Sequence, residues 1–196
     1  MKHLGTKRLE TERLILRPFE TTDAEKMYKN WADDDEVTRF LTWSTHTNVT
    51  VTEALLADWV SQYEKEDNYM WAIVNKDIDE PIGSISAVKV HDNIKMVQIG
   101  YCIGKKWWHQ GLASEALSRL ITFFFEEVGI NRIEARHDIN NPYSGEVMEK
   151  CGMHQEGIMK QADMNNQGIC NMAVYSILSE NYFFHCLPFL TTEKLG

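Results

Sequence analysis

The sequence predicts a single mixed α+β domain built on a mostly antiparallel sheet. The chain has 196 residues, of which 43% are apolar, and this suits one hydrophobic core rather than two. Residues 69–104 contain three strand-like runs with short polar links, the pattern of an antiparallel meander. Residues 111–128 then switch to helical spacing, and a strand-like run follows at 132–138. This strand–helix–strand order allows one parallel pair in the sheet.

The first third of the chain is expected to be mainly helical. Residues 13–17 alternate charged and apolar side chains and predict a short strand. Thr22 and Asp23 predict the start of a helix that runs to about Trp31. Thr52 predicts the start of a second helix, in which apolar residues recur at near-helical spacing.

The remaining elements are read from periodicity. The three strands of the meander are expected at 69–75, 81–90 and 95–104. Gly129 is expected to end the long helix, because glycine is favoured just beyond a helix C-terminus. A shorter helix ending near Gly152 and two last strands at 153–161 and 169–178 complete the predicted order.

The charge balance restricts the possible partners. Lys plus Arg is 20 against 29 Asp plus Glu, a formal net charge of −9, which argues against nucleic-acid binding. The longest strongly apolar run, at 120–125, is far shorter than the roughly 20 residues that span a bilayer, and no secretory leader opens the chain. We therefore expect a soluble cytoplasmic protein without a nucleic-acid or membrane partner.

Cysteine and histidine spacing indicates neither disulfides nor a metal. The sequence has four cysteines, at Cys102, Cys151, Cys170 and Cys186, and no two of them form a C-x-x-C motif. Because a chain of this size does not need disulfides for stability, we expect reduced thiols. The histidines form no H-x-H or H-E-x-x-H motif. Cys151 and His154 are close in sequence but lack a second ligand pair, so no metal site is predicted.

The most informative segment is 99–117, where a strand ends near Ile103 and a helix opens at Gly111. Unpaired N–H groups at a helix N-terminus, beside small residues, form a site for a pyrophosphate. The segment matches neither a P-loop nor a dinucleotide fingerprint. On spacing alone, a glycine that is present for helix packing would explain this pattern as well as a pyrophosphate site does.

The same segment resembles a motif of the GNAT superfamily of N-acetyltransferases, in the RimJ/RimL-like branch. The pattern W-x-x-G-x-A-[ST]-E-A is matched by Trp108, Gly111, Ala113, Ser114, Glu115 and Ala116. Trp108 stands where the broader superfamily has Gln or Arg, a departure common in this branch. Residues 131–153 and 157–163 resemble two further motifs of the branch. The resemblance covers about 9–178 of a single domain at 1–196 and leaves 179–196 as a C-terminal extension.

The resemblance implies a GNAT fold with helices on both faces of the sheet and a cleft where two parallel strands splay apart around acetyl-CoA. It implies no metal. The backbone of Tyr101, Cys102 and Ile103 would bond the pantetheine arm, and the Ile103 N–H would polarise the thioester carbonyl as an oxyanion donor. The pyrophosphate would be held by the amides of Trp108, His109, Gln110, Gly111, Leu112, Ala113 and Ser114. Further cofactor contacts are implied for Asn141, Ser144, Val147 and Lys150.

The resemblance also supplies catalytic candidates. Asp163 lies in a Q-A-D stretch similar to a Q-A-E stretch of the branch and is the candidate base, through a water, although an ordinary turn residue explains it too. Gln98 occupies the position of a glutamate in many other members and cannot accept a proton at neutral pH. Ser144 is the first candidate acid and Tyr143 the second. The alternatives are purely structural roles, namely a helix N-cap for Ser144 and exposed packing for Tyr143.

These residues predict direct acetyl transfer from acetyl-CoA to an amine in a ternary complex. The acceptor stays open between a protein N-terminus, such as that of a ribosomal protein, and a small amine, and the protein is expected to be a monomer or a homodimer. The alternative is a CoA-binding module that has lost catalysis, which Gln98 and the short Asp163 side chain favour.

Overall fold

The computed structural model describes residues 1–186 and places eight strands in one sheet. Their order across the sheet is β1-β2-β3-β4-β5-β6-β8-β7. The strands are β1 (Leu9–Glu10), β2 (Leu14–Arg17), β3 (Met70–Asn75), β4 (Glu80–His91), β5 (Met96–Ile103), β6 (Arg132–Asp138), β7 (His154–Asn165) and β8 (Gly168–Leu178). All neighbouring pairs are antiparallel except β5 with β6, so the predicted single parallel pair is confirmed.

Six helices accompany the sheet in the described part of the chain. They are α1 (Ala24–Met27), α2 (Asp35–Thr38), α3 (Val49–Ser61), α4 (Leu112–Thr122), α5 (Pro142–Lys150) and α6 (Ser179–Cys186). A 3-10 turn at Thr21–Asp23 leads into α1, and π-helical turns extend α1 through Tyr28–Ala32 and α4 through Phe123–Val128.

Two predicted helix starts are wrong by a few residues. The Asn48 side chain accepts a bond from the Val51 N–H and caps α3, whereas Thr52 lies inside the helix and bonds the ring of His46 at 2.7 Å. At the first helix, the Glu20 N–H donates to the Asp23 carboxylate at 2.8 Å, so the helical segment begins earlier than the pair Thr22–Asp23 indicated. Both segments carry more than one side chain able to cap, and the fold chooses between them.

The sheet is covered on both sides, which confirms the predicted mixed architecture. On one side, here called the α4 face, β-strand residues pack with α4 and α5 around Trp71, Phe123 and Phe124. On the other side, here called the α1 face, Trp31 and Leu56 from the helical first third pack on Ala72 and Val74. Trp31, Trp71 and Leu56 are fully buried, and each such side chain stabilises the fold by roughly 1.5–3 kcal/mol or more.

Three further observations concern the cysteines, membrane-spanning helices and metal-binding clusters of the described residues. Cys102, Cys151 and Cys170 are free thiols, and the C-terminal extension is described only as far as α6, so its last residues lie outside the described part. Within residues 1–186, no helix is long and apolar enough to cross a membrane. Over the same range, no cluster of three or more His, Cys, Asp and Glu side chains is arranged to hold a metal ion.

Candidate active site

The parallel pair β5–β6 opens into a gap. Its ladder runs from Met96–Arg132 to Ile99–Ala135 and stops there, although β5 continues to Ile103 and β6 to Asp138. Beyond this rung β5 pairs only with β4, and β6 only with β8. The sheet therefore has an internal free edge on each side of the gap.

The β5 edge of the gap presents backbone groups for a peptide-like ligand. Gly104 N–H donates to Ile82 C=O at 2.8 Å, and backbone groups alternate in direction along an antiparallel ladder. The N–H and C=O of Ile103 and Tyr101 therefore face the gap, whereas those of Cys102 face β4. The Ile103 carbonyl is already bonded by the Trp108 indole N–H at 2.7 Å, which leaves the Ile103 N–H for a ligand.

The N-terminus of α4 lies at the open end of β5. Gly111 precedes the helix with φ of 76°, a conformation that favours glycine, and it places the bare N–H groups of Leu112, Ala113 and Ser114 on the first turn. Arg13 Nη1 holds the Gln110 carbonyl at 2.9 Å. His109, next in the loop, also has a positive φ of 58°. The arrangement provides several N–H donors and the positive end of a helix dipole for an anion.

Helix α5 lies over the gap on the α4 face. The Tyr101 hydroxyl donates to the Ser144 carbonyl at 2.8 Å, and the Ser144 hydroxyl donates to the Tyr101 hydroxyl oxygen at 3.5 Å. Burial raises the pKa of Tyr101 far above its usual value, so this hydroxyl stays a donor. Asn141 precedes α5 and bonds Asp138 C=O through its backbone N–H at 2.8 Å, with no side-chain cap on the helix.

The far end of α5 contacts the first turn of α4. The Cys151 thiol donates to the Ser114 carbonyl at 3.3 Å, and burial raises the pKa of this thiol. Lys150 lies exposed beside it, and Val147 packs on the core. Of the predicted cofactor contacts, these residues and the α4 N-terminus are therefore brought to one side of the gap.

The second candidate acid lies at the rim. Tyr143 is 59% exposed, and its ring contacts His109 edge-on with centroids 4.8 Å apart. The contact joins the loop before α4 to the first turn of α5. Tyr143 therefore spans the mouth of the gap rather than its interior.

The α1 face carries the other predicted residues. Gln98 pairs with Glu134 in the ladder, and its buried Oε1 has no hydrogen-bond partner within residues 1–186. Asp163 pairs with Cys170 on the β7–β8 hairpin, is exposed, and accepts a bond from the Met164 N–H at 2.8 Å. Because β8 lies between β6 and β7, the carboxylate of Asp163 is two strands away from the gap.

The hairpin tip is tied to the helical first third. The Asn166 side-chain amide donates to the carbonyls of Thr38 at 2.9 Å and Trp43 at 2.8 Å. Its backbone N–H reaches Leu41 C=O at 3.2 Å. The tie brings Asp163 and the loop after α2 to the same side of the sheet, opposite α4.

One buried polar residue beneath α5 had no signal in the sequence. His137 on β6 is 8% exposed, and its Nε2 has no hydrogen-bond partner among the described residues. The alternation of the predicted strand at 132–138 already placed it on the same face as Ile133 and Ala135. Nothing in the sequence, however, showed what it would meet there.

A free strand edge that can bond amides and a helix N-terminus that can hold a pyrophosphate fit the two halves of CoA, and known proteins agree. A model of the acetyltransferase (GNAT) domain matches residues 13–154. The N-acetyltransferase YoaA of Bacillus subtilis, itself uncharacterized, is 30% identical over 87% of this chain and 96% of its own. The [ribosomal protein uS5]-alanine N-acetyltransferase of Escherichia coli is 25% identical over 94% and 91%. Among solved structures, RimL, a ribosomal L7/L12 alpha-N-protein acetyltransferase in complex with coenzyme A, superposes with a TM-score of 0.80 at 20% identity, covering 89% of this chain and 99% of its own.

The fold and the gap define an acyltransferase that uses a CoA thioester. The chain belongs to the GNAT acetyltransferase family and is an acetyl-CoA-dependent N-acetyltransferase. The family resemblance read from the sequence is thereby confirmed.

Proposed function

We propose that the protein acetylates a primary amine, either the α-amine of a protein N-terminus or a small-molecule amine, by direct transfer in a ternary complex. The observation that carries the proposal is the opening of the β5–β6 ladder after Ile99 and Ala135, which leaves one passage through the sheet. The α4 N-terminus lies on one face of this passage. The thioester would enter from that face and the amine from the α1 face.

The cofactor would be held mainly by backbone groups. The first-turn amides after Gly111 would bind the pyrophosphate with help from Lys150, and the gap-facing backbone of Tyr101 and Ile103 would bond the pantetheine amides. Asn141 and Val147 would border the arm. An acidic chain can bind a polyanion in this way because the donors are peptide N–H groups.

The reaction needs a polarised carbonyl and two proton transfers. The Ile103 N–H would stabilise the oxyanion that develops on the thioester carbonyl. Asp163, facing the acceptor side, would take the first proton from the incoming ammonium through a water. Ser144, at the first turn of α5, would donate a hydrogen bond to the departing sulfur, with the exposed Tyr143 as the second candidate.

An α-amine suits a site with modest base catalysis. With a pKa near 7.8, an α-amine is roughly 10–15% neutral at pH 7, whereas a lysine near 10.4 is about 0.04% neutral. The Escherichia coli relative is named for an N-terminal alanine of a ribosomal protein, which makes such an N-terminus the first acceptor to try.

The test is acetyl-CoA with an acceptor panel, followed by thiol release. The panel contains N-terminal peptides, their N-acetylated forms as blanks, a polyamine and free amino acids. We expect release with free α-amines and none with the blanks. Ser144→Ala keeps the backbone carbonyl that Tyr101 bonds, so it removes only the hydroxyl and is expected to lower kcat without changing acetyl-CoA affinity. No release with any amine would contradict the proposal.

A CoA-binding module without catalysis is the second candidate. Gln98 favours it, because its buried amide stands where a carboxylate would serve as base and cannot take a proton. Binding of acetyl-CoA by calorimetry together with no thiol release across the panel would support this candidate.

A further inference from the structure

Arg136 is the first residue of β6 beyond the last paired rung. The ladder ends at Ile99 and Ala135, so Arg136 stands level with Gly100 on β5. Because Ala135 belongs to the core on the α4 face, alternation turns Arg136 to the α1 face, from which the amine would enter. The arginine therefore lies on the acceptor side, where the two strands begin to separate.

Small side chains flank Arg136 on the sheet. Gly100 has no side chain, and a Cβ added there would meet Val88 Cγ1 at 3.1 Å, a tight contact. On the other side, Val174 of β8 pairs with Arg136, and Gly157 of β7 pairs with Val174. Nothing lies within 4 Å of a Cβ added at Gly157. The Arg136 side chain is 23% exposed, so a ligand on this face can reach it.

The guanidinium of Arg136 has an unused edge. Its Nε donates to Glu134 Oε1 at 2.8 Å. Neither Nη atom makes a hydrogen bond within residues 1–186, and neither is fully buried. Two parallel N–H groups of a guanidinium match the two oxygens of a carboxylate. The free edge of Arg136 is therefore suited to an anion of this shape.

Glu134 orients the guanidinium without occupying this edge. Its Oε2 accepts from Arg132 Nη2 at 3.1 Å, and Arg132 also bonds both oxygens of Glu156. Glu134 is thus shared between two arginines and offers Arg136 a single bond at Nε. Because the Glu134 side chain is only 8% exposed, this bond fixes the direction in which the Nη groups point.

The next carboxylate on the same face is satisfied elsewhere. Asp138 is buried, and its Oδ1 accepts from the backbone N–H and the side-chain amide of Asn140 at 2.9 and 3.0 Å. Its Oδ2 accepts from the Asn165 amide at 2.8 Å. Three amide donors therefore hold Asp138, and it makes no hydrogen bond with Arg136.

We propose that Arg136 binds a carboxylate of the acceptor, so that amines whose molecules carry a carboxylate are the preferred substrates. The inference rests on the proposed function and specifies the class of acceptor within it. Because Glu134 already orients the guanidinium, binding would order little further in the protein. Two sources share this chemistry: a free amino acid, and a peptide with an acidic side chain near its N-terminus.

The test uses pairs of acceptors that differ only in the carboxylate. One arm contains glycine, β-alanine and 4-aminobutyrate with their primary amides. The other contains tetrapeptides with glutamate or glutamine at the second or third position. Thiol release gives kcat/KM for each acceptor and hence an acid-to-amide ratio for each pair. Since an amide also changes the pKa of a nearby amine, this ratio is compared between protein variants.

Arg132→Gln is the matched control for Arg136→Gln. Each variant loses one ion pair with Glu134, and the two arginine side chains are 21% and 23% exposed. We expect the acid-to-amide ratio to fall by about tenfold or more in Arg136→Gln, because bonds to a charged group are lost. It should stay within about twofold of the parent in Arg132→Gln. The arm in which the ratio falls identifies the source of the carboxylate.

The ratio also guards against misfolding, because a partial loss of folded protein affects acid and amide equally. If Arg136→Gln does not fold, Arg136→Lys keeps the charge without the planar fork and should lower the ratio several-fold. A ratio that is unchanged in the folded Arg136 variant in both arms would overturn the inference, as would an equal fall in Arg132→Gln.

Failure of the proposed function would give a different result. No thiol release by the parent with any amine would refute catalysis, and the carboxylate site would then be tested by binding. With CoA present, calorimetry should show the better acid of the two arms binding more tightly than its amide. Arg136→Gln should remove that difference, whereas equal Kd values for acid and amide in the parent would overturn the inference.

Discussion

Arg13, just before β2, forms an ion pair with Glu115, in the first turn of α4, although 102 residues separate them in sequence. Arg13 Nε and Nη2 reach Glu115 Oε2 at 2.7 and 2.6 Å, and the Arg13 N–H and the Thr11 hydroxyl both donate to Oε1. The same guanidinium bonds the Gln110 carbonyl. One arginine therefore fixes both the loop and the helix turn that are expected to hold the pyrophosphate.

Glu115→Gln should weaken cofactor binding through this contact. The Arg13 guanidinium would lose its charged partner and the loop before Gly111 would loosen, so we expect the acetyl-CoA Kd to rise several-fold with little change in kcat. The loss of charge-assisted bonds should also destabilise the fold by about 1–2 kcal/mol, seen as a lower Tm. Glu10→Gln is the matched control, because Glu10 forms only exposed ion pairs with Arg8 and Lys76. Equal effects in both variants would contradict this role of Arg13.

The same carboxylate predicts a pH dependence of folding stability. Burial raises the pKa of Glu115, but the bonds from Thr11 and Arg13 outweigh it and hold the pKa below its usual value. Stability from this group is therefore present above the unfolded pKa near 4.5 and is lost as pH falls through the lower folded value. In Glu115→Gln, the loss of stability on acidification below about pH 4.5 should be shallower, measured by urea unfolding at several pH values. A slope equal to that of the parent would show that the contact does not contribute.

Gly111→Ala tests the helix N-terminus as the pyrophosphate site. Alanine at φ of 76° is strained by about 1 kcal/mol or more, and its Cβ would lie 3.6 Å from Arg13 Nη2, beside the first-turn amides. Gly129→Ala is a closely matched control, since Gly129 has φ of 74° and nothing lies within 4 Å of its added Cβ. Both variants should lose similar stability, but only Gly111→Ala should raise the acetyl-CoA Kd, by about tenfold. A similar rise in Gly129→Ala would assign the effect to general strain.

Local sequence patterns predicted most of the secondary-structure elements. Contacts between segments that are distant in sequence could not be predicted. The strand at 132–138 and the helix ending at Gly129 follow from alternation and a C-terminal glycine, and the structure has both. The short strand β1 and helix α2 were not predicted, because two- and four-residue elements leave no periodicity to read.

The residues of the candidate site also fall into two groups, those with a local sequence signal and those without one. The Gly111 turn was visible because its residue types are fixed by local backbone geometry. The pair Arg13–Glu115 was not, because nothing in either segment indicates that they meet. His137 lies on the inward face of a predicted strand, yet its burial against Gly145 of α5 depends on a contact between two segments that the sequence does not indicate.

An ion pair far from the gap gives a prediction on acid stability. Arg132 bonds both oxygens of Glu156 at 2.6 and 2.7 Å, and these bonds, with one from Ser176, lower the pKa of Glu156 to about 2. Stability from this carboxylate is present above pH 4.5 and is lost as pH falls toward 2. Because Glu156 is about half exposed, we expect Glu156→Gln to cost less than about 1 kcal/mol at pH 7. At pH 2 the variant should match the parent in urea unfolding, and a difference that persists there would contradict the ion-pair origin.

Substitution of Asn166 should change the acceptor KM but not the acetyl-CoA Kd. Its side-chain amide bridges the carbonyls of Thr38 and Trp43, so Asn166→Ala would leave two acceptors to water. The hairpin tip would then be held to the loop after α2 only by the Asn166 backbone N–H, which bonds Leu41 C=O, and would be more mobile. Both segments lie on the α1 face, away from α4, and hydrogen exchange should therefore speed up at 38–46 and 162–168 while the acetyl-CoA Kd stays unchanged. If the amine enters from this face, the acceptor KM should rise several-fold. Gln167→Ala, one residue along the exposed turn, keeps the tie and should leave both constants unchanged, whereas an altered acetyl-CoA Kd in Asn166→Ala would place the hairpin on the cofactor side instead.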